Sequence, residues 1–135
     1  MQMTVEQIAT EALALPQEDR AELADRLVNS PETFTSAHAL AEVYATLSGD
    51  PRLKINPADA ARMVEDLAKT VSVRALAAED YRQLISLAPD QGIRGGTIYD
   101  ALHAQTARLC GCQEVHTLNI AHFKHVAPDL AVLGL

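Results

Sequence analysis

The 135-residue chain is predicted to be an α/β protein: a parallel sheet flanked by helices and preceded by an N-terminal helical hairpin. Three observations carry that prediction. Apolar residues at helical spacing alternate with short apolar, β-prone runs along most of the sequence. Cap and turn residues separate these segments at regular intervals. Hydrophobic residues make up 48% of the chain but aromatics only 4%, with no Trp, so Ala and Leu must fill the interior by close helix packing.

Residues 4–29 read as the hairpin. Thr4 and Gln7 form a capping box, and Val5, Ile8, Ala12 and Leu15 line one face. Leu15-Pro16 ends that helix, and Pro16 suits the first turn of the next, whose stripe is Leu23, Ala24, Leu27 and Val28. Asn29-Ser30-Pro31 stops it. Phe34-Thr35 reads as a short strand, and Ser36 caps a helix over 37–47. Gly49-Asp50-Pro51 is a turn. Asn56-Pro57 opens an amphipathic helix with Ala60, Met63, Val64, Leu67 and Ala68 inward. Residues 71–76 alternate as a strand, and 77–88 form a helix with Tyr81, Leu84 and Ile85 inward. Gly92, Gly95 and Gly96 make a loop into a helix over 97–110, with Gly111 as its C-cap. Residues 114–118 and 130–133 are short strands.

Composition limits the function. A net charge of −7 and a pI near 5.1 argue against a basic nucleic-acid groove, though not against an acidic site that reaches nucleic acid through a metal. The acidity is uneven: residues 1–30 hold six acids against two bases. No signal-like segment and no apolar run near ~18 residues occurs, so no membrane span is expected. Cys110 and Cys112 flank Gly111 too tightly for a C-x-x-C site and read as plain thiols in a reducing cytoplasm.

Two carboxylates stand out. Glu42 is the only charged residue between Glu32 and Asp50, and Asp100 the only one between Arg94 and Arg108. Both lie in apolar helical segments, where a carboxylate must be paired, hydrogen-bonded or bound to a metal. One shared acidic site for a divalent ion accounts for both. The alternatives are a Glu42 that reaches solvent or pairs with an Arg such as Arg94, and an Asp100 placed by the helix macrodipole. His103 lies one turn beyond Asp100 on the same face and reads as a core or surface histidine. His116, His122 and His125 lack ordered zinc spacing.

Three blocks, TSAHALAEVYATLSG, IRGGTIYDALHAQTARLCGC and HTLNIAHF, together resemble a PIN domain, most nearly the VapC-like toxin ribonucleases of toxin–antitoxin modules, over about residues 33–135. The resemblance implies a ribonuclease acting through Mg²⁺ or Mn²⁺, with Glu42 and Asp100 as catalytic metal ligands. It places Asn119 where relatives carry a further Asp; its amide would orient a metal-bound water or simply cap a loop. Thr117 would assist by hydrogen bonding. Arg94 would contact RNA phosphate or form a surface ion pair. Residues 1–30, with A-L-x-L-P and E-D-R-A-E-L-A, resemble a short addiction-module antitoxin.

The division that follows is an antitoxin-like hairpin over 1–31 and a PIN-like domain over 32–135. The implied partners are RNA, a cognate antitoxin or toxin, and a second copy in a homodimer. The family opens with a central strand ending in Asp, and no such run precedes Phe34. Leu27-Val28-Asn29 echoes its end, but only twelve residues separate Asn29 from Glu42. The expectation is therefore a truncated sheet with an empty central position, an incomplete acidic site and impaired turnover. The alternative function is a non-catalytic interaction module that binds a toxin–antitoxin partner.

Overall fold

The structure, a computed structural model, describes residues 2–3, 33–116 and 120–133. Strand β1 (Gln2–Met3) is followed among these by β2 (Phe34–Ser36) and helix α1 (Ala37–Gly49). Then come α2 (Pro57–Thr70), β3 (Ser72–Arg74), α3 (Ala78–Leu87) and α4 (Thr97–Leu109). The chain continues with β4 (Glu114–His116), α5 (Ile120–Val126) and β5 (Ala131–Leu133). The strands form one parallel sheet in the order β3-β2-β1-β4-β5.

That order corrects one expectation. The central position, expected to be empty, is held by Gln2–Met3, which pairs with Phe34 of β2 on one side and with Val115 and His116 of β4 on the other. Two residues are too few for an alternating pattern to be read. Pairing on both sides nevertheless gives their backbone groups and the facing strand edges the partners that burial demands. The strand is present, but it brings no acid: its residues are Gln2 and Met3, and Thr4 follows.

The local signals place the helices. Ser36 Oγ accepts from the Ala39 N–H at 3.1 Å and opens α1. Asn56 Oδ1 accepts from the Asp59 N–H at 2.8 Å ahead of Pro57. The Asp80 carboxylate accepts from the Ala77 N–H at 2.8 Å and starts α3; Ala77 has no side chain to return the bond. At the end of α4, Gly111 (φ +70°) takes the left-handed conformation, its N–H reaching Arg108 O while the Cys112 N–H reaches Ala107 O at 2.9 Å. This is a Schellman cap, a geometry that favours glycine.

Two apolar clusters form the core. One joins α4, α5 and β4 through Ala101, Ala104, Ala107, Val115, Phe123 and Ala127. The other joins α1 and α2 through Ala39, Val43, Leu47, Ala60 and Val71. The helix-facing alanines let the elements approach closely, as the low aromatic content requires. Two expected core residues are exposed: Met63 at 43% and Ile85 at 56%. Met63 lies at the edge of the stripe made by Ala60, Val64 and Leu67. Ile85 sits beside Leu84, the residue of α3 that packs against the core. α5 is an element the periodicity does not reveal, because seven residues give too short a stripe.

Candidate active site

Helix α1 starts at β2 and carries Glu42 in its second turn; α4 carries Asp100 in its first turn. The fold sets these two segments side by side, although 58 positions separate the carboxylates (100 − 42). Their connection runs through His103, which is 4% exposed. Its Nδ1 lies 2.7 Å from Ser36 Oγ, and its Nε2 lies 2.8 Å from Glu42 Oε1. An ionised carboxylate only accepts, so Nε2 carries a proton. In the neutral ring, Nδ1 then accepts from the Ser36 hydroxyl, whose oxygen also receives the Ala39 N–H. One cap residue, one histidine and one glutamate thus lock β2, α1 and α4 together.

Glu42 has a second imidazole beside it. His38, one turn earlier on α1, places Nε2 3.2 Å from the same Oε1. Its ring stacks on Tyr99 of α4, with centroids 5.4 Å apart and planes 6° from parallel. On the other side of the site, His122 of α5 brings Nδ1 to 3.4 Å from Asp100 Oδ2. The Asp100 carboxyl titrates above the ordinary carboxylate range. Burial is the main cause; His122 and His103 pull the other way, and the negative charge of Glu42 adds to the rise.

The fold brings the helices that carry Glu42 and Asp100 together through the His103–Glu42 contact. His103 and His38 both lie against Glu42, while Arg94 stands exposed in the loop before α4. His103 is a core residue, as one of the two readings expected, and both of its ring nitrogens have partners. Thr117 and Asn119 lie outside the described residues, as do the echo at Asn29 and the helical hairpin expected over 4–29. The histidines His116, His122 and His125 do not converge: His116 is buried against Glu114 at 3.2 Å, whereas His122 faces Asp100. Among the described residues, no three His, Cys, Asp or Glu side chains group so as to hold a metal ion. Neither Cys110 nor Cys112 is in a disulfide, and burial raises the Cys110 thiol further above neutrality.

His38 and Tyr99 were not singled out by the sequence reading. The available signal is spacing: His38 and Glu42 are four residues apart, and Asp100 and His103 three, so each pair shares a helix face. A groove of about 120 Å³ lined by Leu84, Leu87, Ile93, Ala101 and Arg108 shares no residue with the acidic site.

Two oxygen ligands suit Mg²⁺ or Mn²⁺, which keep several waters when a protein supplies few donors. The electrostatics fit such an ion as well. A divalent cation relieves carboxylates that are partly removed from water.

A five-stranded parallel sheet flanked by helices defines an α/β protein. A family model for the PIN domain matches residues 8–128, and the chain belongs to the PIN domain family. That membership supports a nuclease-type function, generally dependent on a divalent metal and often found in toxin–antitoxin systems. A search of curated proteins finds no match. Among the described residues, no helix is long and apolar enough to cross a membrane.

Proposed function

We propose that this chain is a PIN-type ribonuclease of the VapC-like, toxin–antitoxin kind, working with Mg²⁺ or Mn²⁺ and slowed by an acidic site short of one member. One observation supports the reading: His103, one turn beyond Asp100 on α4, bonds Glu42 of α1, so the lone acids of two apolar helices lie on helices joined at this point. When bound, the divalent ion supplies an activated water and charge stabilisation at the phosphodiester. Glu42 and Asp100 would hold it. His103 keeps the Glu42 carboxylate turned toward the site, and Ser36 keeps His103 in the tautomer that does so. His122 stands where it can exchange a proton or a hydrogen bond at Asp100 Oδ2. Asn119 would orient a water, Thr117 would assist it, and Arg94 would contact a substrate phosphate.

The slowing follows from the central strand. The family pattern ends that strand in Asp, whereas Gln2, Met3 and Thr4 stand there in this chain. The same observation favours a second reading, in which the fold serves as a non-catalytic module that binds a cognate toxin or antitoxin.

A thermal melt with and without Mn²⁺, paired with RNA cleavage, separates the two. On the ribonuclease reading, Mn²⁺ at a hundred times its Kd stabilises the parent by about 2.7 kcal/mol, or several degrees in Tm. It does nothing for Asp100→Asn or Glu42→Gln, and the metal-loaded parent cleaves RNA slowly. A cooperative melt indifferent to Mn²⁺, with no cleavage, sinks that reading and leaves the binding module.

A further inference from the structure

Resting on the ribonuclease reading, we propose that Tyr99 and His38 form a stacking platform for one nucleobase of single-stranded RNA beside the acidic pair. The chain has few aromatic side chains: three Tyr, two Phe and no Trp. Phe123 is wholly buried in the core, whereas Tyr99 is 50% exposed and directly precedes Asp100 on α4. Its ring lies parallel to the His38 ring, which in turn lies against Glu42. The tyrosine is thus one residue from one carboxylate and one imidazole from the other.

A half-exposed aromatic ring costs the protein apolar hydration that burial would remove. Here the ring is braced from one side by His38, so little side-chain freedom remains to be lost when a flat partner settles on it. Unstacked bases of single strands seek such surfaces, and stacking tolerates any base because each has a π face. The charge balance points the same way. A chain of net charge −7 cannot rely on phosphate attraction alone, so a neutral contribution from stacking has a place to act. The platform would seat the base next to the phosphodiester held at Glu42 and Asp100. It selects unpaired strands over duplexes, whose bases are already stacked.

The test is fluorescence anisotropy of a short labelled single-stranded oligoribonucleotide with Mn²⁺, using the full chain. A parallel set of the same strand carries one abasic position at a time. Tyr99→Phe should bind within about two-fold of the parent, and Tyr99→Leu about ten-fold more weakly. One abasic position should weaken the parent markedly yet cost Tyr99→Leu little more, because both remove the same contact. The Mn²⁺-induced rise in Tm should be the same in Tyr99→Leu as in the parent. Equal affinity of Tyr99→Leu and a parent that binds RNA overturns the platform alone; so does an abasic series in which no position stands out, a measurement that needs only the parent. A parent that binds no RNA overturns the ribonuclease reading, and the platform falls with it.

Discussion

His103 shows most directly how a single side chain organises the site. It is buried, and both of its ring nitrogens are engaged, by Ser36 Oγ and by Glu42 Oε1. Replacing it with Phe puts a bulkier ring in a buried place and removes one partner each from the Ser36 hydroxyl and the Glu42 carboxylate, at about 1–3 kcal/mol apiece. We expect His103→Phe to lose roughly 2–4 kcal/mol in urea unfolding. In a double-mutant cycle with Glu42→Gln, the two losses should fall well short of additive, because the variants break the same bond. Additive losses would mean that His103 serves packing alone. Asp100 makes the opposite prediction. Its carboxylate is partly desolvated next to a like charge, so the metal-free protein carries a cost there. Asp100→Asn should melt higher than the parent at pH 7 without metal while losing the response to Mn²⁺. A lower melt would show that the contact with His122 outweighs burial.

At the scale of elements, the end of α4 is tied down twice. Arg108 donates through Nε and Nη2 to both oxygens of Asp129, at 2.8 and 2.7 Å, and Nη2 also reaches Val126 O at 3.1 Å. This fork joins α4 to the chain that leads from α5 into β5. The Arg108 guanidinium holds the Asp129 carboxyl below its ordinary range. A depressed carboxylate stabilises the fold above its unfolded pKa and loses that contribution as the pH falls through its folded value. Asp129→Asn should therefore destabilise at pH 7 by about 0.5–1 kcal/mol, the range of a solvent-screened pair, and make no difference near pH 2. A deficit that persists in acid would assign the effect to something other than the ion pair. Just beyond, Gly111 sits at φ +70°, where an alanine is strained. Gly111→Ala should cost about 1 kcal/mol by denaturant titration, although a Cβ there would meet no neighbouring atom. A neutral result would show that the cap relaxes.

The whole molecule depends on its shortest element. β1 contributes two residues, yet it is the strand through which β2 and β3 join β4 and β5. Removing residues 1–3 would leave facing edges without partners and divide the sheet into two pairs. A chain starting at residue 4 should lose several kcal/mol of stability or unfold with two transitions, one for each apolar cluster. Met3→Pro, which removes one ladder donor, should produce a milder form of the same loss. Calorimetry that shows one unchanged transition for both variants would mean that the sheet does not rely on this strand.

Legible in the sequence alone were the α/β class, the caps at Ser36, Asn56 and Gly111, most helix bounds, and the isolation of Glu42 and Asp100 as lone acids in apolar helices. All of these are local: a cap needs three or four consecutive residues, and an isolated carboxylate in an apolar run is conspicuous wherever it occurs. Tertiary structure alone decided what surrounds those acids. That His103 reaches across 61 positions to Glu42, that Tyr99 lies on His38, and that His122 faces Asp100 depend on how α1, α4 and α5 pack. Tertiary structure also decided the centre of the sheet. A strand of two residues has no periodicity to detect, and its place is set by the hydrogen-bonding groups that β2 and β4 leave open on either side.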